Sequence, residues 1–287
     1  MIHNTLGQRR NKIQQITLKT FLTIVLWFLG ILIIMPFIWM LSTSFKGIND
    51  VYKFPIEWIP SNPTLEAYKN LFRGDFSFIT FYRNSIFVTS MAIVGTFFSC
   101  TMAGYAYAKI NFVGRDKIFL IKLATTMIPG MVTMLPTFII YRSLGLVNTL
   151  TALWLPWCFG GIFGVMLMRQ NMISVPNELL ESARIDGAGH PRIYWSIMLP
   201  STRPGIATLL FMYFLWTWND YERPLLYIQN QKYFTLPLAV KFFSTEYVTN
   251  VPAIMAANVV SISVILFMFI FCQKYFVRSV ISSGIKG

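Results

Sequence analysis

The chain has 287 residues, of which 55% are hydrophobic and only 12% are charged, and its mean hydropathy is +0.56. Soluble domains carry about twice that proportion of charge, so the composition argues against a water-soluble globular protein. Lysine and arginine number 24 against 11 acidic residues, a formal net charge of +13. Such an excess would indicate nucleic acid as the partner of a soluble protein, but here the charges lie between long apolar blocks, which indicates a membrane protein.

The cysteines give no sign of a metal site or a disulfide framework. Cys100, Cys158 and Cys272 all lie inside apolar blocks and far apart in sequence. A disulfide framework or a cysteine cluster that binds a metal requires closely spaced or paired cysteines, so both are excluded. We expect these side chains to pack as small apolar groups.

Several charge-free runs are long enough to cross a membrane. A bilayer core about 30 Å thick requires roughly 20 apolar helical residues, because an unpaired backbone group finds no water there. Five runs are clearly sufficient, whereas a sixth run of 16 residues reaches only about 24 Å. We therefore predict an all-α polytopic membrane protein with six transmembrane helices, at residues 20–45, 84–108, 123–141, 143–168, 204–219 and 247–273.

The distribution of basic residues predicts the orientation. Basic loops near the ends of spans are retained in the cytoplasm. With six spans and the N-terminus inside, the cytoplasmic segments hold 15 of the 24 basic residues but only four of the 11 acidic ones. The predicted organisation is one permease domain, residues 20–276, that includes a long cytoplasmic loop, residues 169–203, between two cytoplasmic tails, residues 1–19 and 277–287.

The spans lack the residues of an ion-coupled carrier or an enzyme. Ion coupling requires titratable or chelating side chains at depth, and none is evident inside the predicted spans. The sequence has no GxxxxGK[ST] phosphate-binding loop and no HExxH or GxSxG motif. If the protein moves a solute uphill, the energy must come from another subunit.

The loop between the fourth and fifth spans predicts two short helices. Ser174 is the expected cap of the first helix, Pro176 suits its first turn, and Gly187 supplies a left-handed end. The second helix is expected from about Pro191 to Met198 and ends at Pro200. An apolar contact surface on the first helix is predicted from Leu179, Leu180, Ala183 and Ile185. The alternative is that this loop merely covers the inner end of the helix bundle, but loops of this length are usually functional.

The pattern of this loop resembles a known family. Glu181, Ala183 and Gly187, followed by Ile197, Leu199 and Pro200, are similar to the cytoplasmic EAA loop of binding-protein-dependent ABC importer permeases, although Ser182 stands where the family usually has alanine. The runs GYAYAK, LGLVNT, RIDGAG and WTWND, at residues 104–109, 144–149, 184–189 and 216–220, resemble the carbohydrate branch. Within that branch the chain resembles the smaller subunit of maltose-type transporters.

The resemblance implies the fold, partners and site residues of a type I ABC importer permease. It implies import of a sugar or oligosaccharide across the bacterial inner membrane, a second homologous permease chain, two cytoplasmic ATPases that hold ATP and magnesium, and an external solute-binding protein. No cofactor is implied in this chain. The resemblance places ATPase coupling on Glu181, Ser182, Ala183, Asp186, Gly187, Ala188, Gly189, Ile197, Leu199 and Pro200. By the same analogy Glu181 would meet a basic residue of the ATPase, and Ala183 would permit close approach.

Two alternatives stay open at this point. The solute can be another polar compound, such as a phosphorylated polyol, because related permeases handle such compounds. A secondary carrier or channel that needs no ATPase is the alternative from another class of protein.

Solute contacts are predicted near the outer end of the fifth span. Sugar sites combine aromatic platforms with amide and carboxylate groups, which are found here in Trp216, Trp218, Asn219, Asp220 and Glu222. The alternative is that these aromatic residues belong to the aromatic belt that membrane proteins place at the membrane–water boundary. In maltose-type relatives the partner permease can supply most of the solute site.

Further predictions concern the third span and the outer loops. Pro129 and Pro136 are expected to kink the third span. Residues 228–252 resemble the family loop that approaches the ligand cleft of the binding protein, and residues 43–83 are expected to cover the outer mouth.

Overall fold

The computed structural model describes the backbone of residues 2–73, 78–246 and 250–284, and the side chains of residues 15–72, 78–245 and 250–273. Within these ranges the chain forms helices and loops and contains no β-strand. It divides into two compact units, one made of Met1–Gly74 with Glu246–Val260 and the other of Asp75–Thr245 with Ser261–Gly287. Residues 2–19 of the predicted N-terminal tail are helical, whereas residues 1 and 285–287 of the two predicted tails lie outside the described backbone.

The helices follow the apolar blocks of the sequence. Short 3-10 turns lie at Ile48–Asp50, Thr125–Met127, Leu155–Phe159 and Gln231–Tyr233, and a π turn lies at Tyr194–Met198. The α-helices are α1 (Ile2–Ser44), α2 (Glu66–Arg73), α3 (Phe78–Lys109), α4 (Arg115–Ala124), α5 (Gly130–Ser143), α6 (Thr151–Trp154), α7 (Ile162–Ile173), α8 (Asn177–Ile185), α9 (His190–Ile193), α10 (Leu199–Ser201), α11 (Arg203–Trp218), α12 (Glu222–Tyr227), α13 (Leu236–Glu246) and α14 (Val251–Gly284).

In the first unit the segment after α1 is fixed against the end of that helix. The buried Lys46 side chain donates from Nζ to the carbonyl oxygen of Glu57 and lies 4.2 Å from the centre of the Trp39 ring. Trp58 packs on the same ring, with centroids 5.5 Å apart. These contacts replace the hydration that a lysine ammonium loses on burial.

Helix α3 is the centre of the second unit, where it packs against α7, α11 and the turn Leu155–Phe159. Gly104 makes the crossing with α7 close, since a Cβ at this position would lie 2.6 Å from Met168 Cβ. The buried core around the crossing contains Cys100, Tyr105, Val165, Met168, Met172, Leu180, Ile193, Met198, Leu209 and Tyr213. Cys100 therefore packs as an apolar core residue, as its sequence context predicts, and all three cysteines are free thiols.

The all-helical membrane fold predicted from the sequence is confirmed. In the described part of the chain, four helical segments have the length and composition to cross a bilayer: Gln15–Ser44, Phe78–Lys109, Thr151–Ile173 and Val251–Gln273. The pair Arg115–Met127 and Gly130–Ser143 would be a fifth span if it crosses as one unit. Helix α11, at the position of the remaining predicted span, has 16 residues and a length of about 24 Å.

The third predicted span, residues 123–141, is bent, and the predicted kink at Pro129 is confirmed, because the two helices of this region meet there at 99°. Pro129 is responsible, since a proline disfavours helical geometry in the residue before it, and Ile128 is extended with φ −78° and ψ 116°. Pro136 lies inside α5.

The fourth predicted span begins too early in the sequence. The expected start at residue 143 is the last residue of α5, and helix resumes only at Thr151. Gly145 and Asn148 have φ of +68° and +63°, which ends any helix between them. Absence of charge therefore failed to distinguish an apolar loop from a span.

Candidate functional site

The first helix of the predicted coupling loop is observed as α8. Its N-cap is Pro176, whereas the Ser174 hydroxyl donates to the carbonyl oxygen of Asn171 at 2.7 Å. The prediction of Ser174 as the cap is therefore wrong, because this hydroxyl already bonds back to the preceding helix. Leu180 is buried in the core, so it is absent from the apolar face predicted for α8, and Leu179 and Ile185 are exposed there.

Gly187 ends α8 in the left-handed conformation that the sequence predicts, with φ +80°. The Ala188 N–H donates to the Ala183 carbonyl oxygen at 2.8 Å, and the Gly187 N–H donates to that of Arg184 at 3.0 Å. These are the two hydrogen bonds of a Schellman motif. They fix the angle at which the chain leaves α8 for the second helix.

The second helix of the loop is longer than predicted. It begins at His190 after the extended Gly189, widens into the π turn Tyr194–Met198 and continues through Pro200 to Ser201. Pro200 was expected to end the helix, but it lies at the second position of α10. A proline is accommodated there because the adjacent π turn already interrupts the regular α-helical hydrogen-bond pattern.

The predicted coupling residues divide into an exposed set and a set packed on the protein's own core. The half-buried Ala183 and Ala188 contact that core, and Leu199 is buried. The role of Ala183 in close approach to an ATPase stays a prediction. The exposed members are Glu181, Ser182, Asp186, Gly187, Gly189 and Pro200, and Ile197 is half-buried.

One face of α3 holds both helices of the loop through a row of polar contacts, which we call the α3 seam. The Thr101 and Tyr194 hydroxyls lie 2.6 Å apart, and the Tyr105 hydroxyl lies 2.9 Å from His190 Nδ1. One turn further on, Lys109 Nζ donates to the Val175 carbonyl oxygen at 2.6 Å and to Asn177 Oδ1 at 2.7 Å. Residues four apart share one face of a helix, so α3 is fixed to the loop at three successive turns.

Sequence reasoning did not identify the α3 seam. Tyr105 and Lys109 belong to the GYAYAK run that carries the family resemblance, but no role was predicted for either residue. The available signal was the spacing of four between Thr101, Tyr105 and Lys109 in a helix that is otherwise apolar.

Lys109→Met should loosen the loop. The change keeps the length of the side chain but removes two hydrogen bonds from a charged donor, which are worth about 1.5–3 kcal/mol each. We expect an arginine-specific protease to cleave at the exposed Arg184 and Arg192 at least about tenfold faster, because local opening becomes easier.

The matched control is Lys117→Met, which alters an exposed lysine of α4 and should leave the cleavage rate unchanged. Lys109→Arg should retain most of the protection. Equal cleavage of Lys109→Met and the unaltered chain would show that the seam does not hold the loop.

The predicted solute residues do not share one surface. Trp216 is 38% exposed, whereas Trp218 is 1% exposed and donates from Nε1 to the Ser261 carbonyl oxygen at 3.3 Å. The Asn219 amide donates to the Leu215 carbonyl oxygen at 2.8 Å, and Glu222 is exposed. Trp218 thus packs inside this unit, and solute contact by any of these residues stays a prediction.

Asp220 forms a half-buried polar cluster with Arg223 just beyond α11. Its carboxylate accepts the Arg223 backbone N–H at 3.3 Å and lies 3.7 Å from Arg223 Nη1. Burial raises the pKa of Asp220, and the charge of Arg223 opposes that shift. The Arg223 guanidinium also lies over the Trp157 ring at 4.3 Å, so this cluster joins α11 and α12 to the 3-10 turn of the fourth span.

Side chains from two elements fasten the loop after α12. The side-chain oxygen Oδ1 of Asn148, in the LGLVNT run, accepts hydrogen bonds from the backbone N–H groups of Gln229 and Asn230 at 3.2 and 2.9 Å. On the other side the Asn84 amide donates to the carbonyl oxygens of Lys232 and Phe234, both at 2.9 Å. Residues 229–234 are thus held in place by hydrogen bonds from both sides, in the region predicted to approach a binding protein.

Fold and site together define an all-α, multi-pass membrane protein with an exposed loop helix fixed to its central helix. Among the residues whose side chains are described, no three His, Cys, Asp or Glu are placed to hold a metal ion. Residues 95–282 match the family described as binding-protein-dependent transport system inner membrane component. The chain belongs to this family of ABC importer permeases, and the resemblance identified in its loop is confirmed.

Curated relatives cover nearly the whole chain. The arabinooligosaccharides transport system permease protein AraQ of Halalkalibacterium halodurans is 33% identical, over 94% of this chain and 97% of that protein. The galactooligosaccharides transport system permease protein GanQ of Bacillus subtilis is 29% identical, over 96% and 98%. The diacetylchitobiose uptake system permease protein DasC of Streptomyces coelicolor is 29% identical, over 92% and 95%.

Solved structures share the fold. A chain of a bacterial ABC transporter involved in the import of the acidic polysaccharide alginate matches with a TM-score of 0.79 at 24% identity, over 88% of this chain and 94% of that one. A chain of the alginate transporter in complex with an alginate pentasaccharide-bound periplasmic protein matches with a TM-score of 0.64 at 17% identity, over 91% and 93%.

Proposed function

We propose that this chain is a sugar-translocating permease subunit of an oligosaccharide ABC importer. The observation that carries the proposal is that its full-length relatives are named for arabinooligosaccharides, galactooligosaccharides and diacetylchitobiose, at 29–33% identity. These solutes differ in their sugar units but share the chemistry of short neutral saccharides. The proposed class of solute is therefore a short oligosaccharide.

The proposed subunit makes no covalent change in the solute. ATP hydrolysis, with its magnesium, belongs to two separate ATPase subunits, a second permease completes the pathway, and an external binding protein delivers the sugar. The exposed Glu181 and Ile185 on α8 support an ATPase contact, because they provide a charge and an apolar group on a helix that is anchored from behind. Closure of the ATPases would displace such a helix as a unit and bias the bundle between two arrangements.

The proposed location is the inner membrane, with both termini in the cytoplasm. The excess of basic residues in the loops assigned to the cytoplasm supports this orientation. It places α8 and α9 on the ATPase side and residues 229–234 on the side of the binding protein.

Uptake by the reconstituted complex tests the proposal. The complex, purified through a tag on this chain together with its host's other subunits, is placed in vesicles and supplied with labelled arabinotriose, galactotriose or N,N′-diacetylchitobiose. We expect accumulation of at least one of these saccharides that requires both ATP and the binding protein. An ATPase variant that binds but does not hydrolyse ATP is the control and should abolish accumulation.

Two results would contradict the proposal. Transport by this chain alone, without ATP, would establish the alternative of a carrier or channel. ATP-driven uptake of glycerol 3-phosphate with none of the three saccharides would establish the phosphorylated polyol.

A further inference from the structure

The fourth span is interrupted near its middle. Within Thr151–Ile173 the 3-10 turn Leu155–Phe159 ends at Gly160, whose φ is +66°, and α7 starts at Ile162 after the extended Gly161. The helical hydrogen-bond ladder is therefore broken about halfway across a segment of 23 residues. Such a break leaves the first N–H groups of α7 without intrahelical partners.

The break reaches the surface of this chain on both sides of the buried Gly160. Phe159 is 75% exposed, and Gly161, the N-cap of α7, is exposed as well. Irregular backbone at membrane depth does not face lipid, because its polar groups would lose hydrogen bonds that hydrocarbon cannot replace. In the assembled transporter this surface must therefore face either a water-filled pathway or another protein chain.

Aromatic rings flank the break. Phe163, in the first turn of α7, is 39% exposed, and its ring centroid lies 5.0 Å from that of Trp216 on α11. Trp216 in turn lies 5.1 Å from Tyr213, so the exposed ring is supported from behind. The two helices approach closely here, since a Cβ on Gly161 would lie 2.6 Å from the Tyr213 hydroxyl. The aromatic pair is thus held rigidly beside the exposed backbone.

This combination suits a saccharide better than it suits a packed interface. The apolar C–H faces of a sugar ring pack on aromatic rings, while its hydroxyl rim requires hydrogen-bonding groups nearby. Phe159, Phe163 and Trp216 supply the rings, and the first N–H groups of α7, at Ile162 and Phe163, supply donors that have no intrahelical partner. An apolar helix face of a second permease could cover the rings, but its backbone would be fully paired and would offer those N–H groups no acceptor.

We propose that Phe159, Phe163, Trp216 and the first N–H groups of α7 form a saccharide-contact surface of this subunit inside the translocation pathway. The proposal rests on the proposed function, because it assigns the solute of that function to a place in this chain. It assigns contacts to Phe159 and Phe163, which sequence reasoning did not single out.

Thiol accessibility tests the location of this surface in the complete complex. Cys100, Cys158 and Cys272 are first replaced by alanine, and Phe163→Cys or Trp216→Cys is then introduced. We expect both thiols to react with a charged, membrane-impermeant methanethiosulfonate reagent, and saturating saccharide to slow the reaction at least about threefold, as an occupied site excludes reagent.

Phe267→Cys is the matched control for accessibility. Phe267 on α14 is also exposed and also belongs to an aromatic pair, 4.6 Å from Phe271, but it has no helix break beside it. Its thiol should stay unreactive. Failure of both Phe163→Cys and Trp216→Cys to react, with and without ATP, would place this surface against lipid or the second permease and would overturn the proposal.

Transport kinetics test the contact with sugar. Phe163→Ala should raise KM for the transported saccharide by about three- to tenfold, the size expected for one aromatic contact, and Phe163→Trp should restore it. If Phe163→Ala and Trp216→Ala both have the same KM as the unaltered complex, this inference is overturned while the proposed function is left intact. Absence of saccharide uptake by the unaltered complex would instead refute the proposed function.

Discussion

Gly187→Pro is expected to abolish sugar uptake by the assembled transporter while ATP hydrolysis continues. Gly187 has a φ of +80°, whereas proline is confined to about −65°, so the substituted chain cannot leave α8 in the observed direction. Proline also removes the N–H that donates to the Arg184 carbonyl oxygen. The angle between α8 and α9 would change, and movement of an ATPase would no longer reach α3 through the seam. We expect at least about a tenfold fall in sugar transported per ATP hydrolysed, since misplacement of a coupling element is costly.

The loop provides its own control for this experiment. Gly189 has a φ of −74°, and a Cβ there would meet only Pro191 Cδ, at an ordinary 3.8 Å. Gly189→Ala should therefore transport normally. Gly187→Asn should be intermediate, because asparagine adopts the left-handed conformation more readily than other residues with a Cβ. Normal uptake per ATP in Gly187→Pro would contradict the assignment of this turn to coupling.

A substitution on the exposed face of α8 tests contact with the ATPase independently of the shape of the loop. Glu181 is exposed on α8, so Glu181→Lys should leave the loop folded and equally resistant to protease. If Glu181 meets a basic residue of the ATPase, reversal of its charge should reduce co-purification of the ATPase. Unchanged co-purification would exclude that ion pair while leaving the turn at Gly187 unaffected.

The sequence predicted features that depend on local chemistry. Long apolar runs can be stable in lipid only as helices, so the membrane fold followed from composition and run length. The left-handed end at Gly187 followed from the permissiveness of glycine, and the kink at Pro129 from the restriction that a proline places on the residue before it. Each of these predictions rests on a constraint that one or two residues impose.

The features that sequence reasoning missed depend on which elements meet in space. Ser174 has the chemistry of a cap, but its hydroxyl bonds to Asn171 instead. Trp218 resembles a residue of the membrane boundary, yet it is buried because Tyr82 and Phe214 pack on its ring. Lys109 holds a loop more than 60 positions further along the chain. No local pattern encodes a partner at that separation.

Gly104→Val should strongly destabilise the second unit. A Cβ at Gly104 would lie 2.6 Å from Met168 Cβ and 3.0 Å from the backbone nitrogen of Arg169. Backbone cannot move aside as the end of a side chain can, so α3 and α7 must separate along the central packing contact of the unit. Overpacking of this kind costs about 1–3 kcal/mol and occasionally more.

The same substitution should also loosen the coupling loop, because Tyr105 and Lys109 of the α3 seam lie just beyond Gly104 on the same helix. We expect the midpoint of thermal unfolding in detergent to fall by about 5–10 °C for Gly104→Val, with a smaller fall for Gly104→Ala. Gly30→Val is the control, since a Cβ on Gly30 of α1 has no atom within 4 Å, and its midpoint should stay at the wild-type value. A wild-type midpoint for Gly104→Val would show that α3 and α7 do not cross at this glycine.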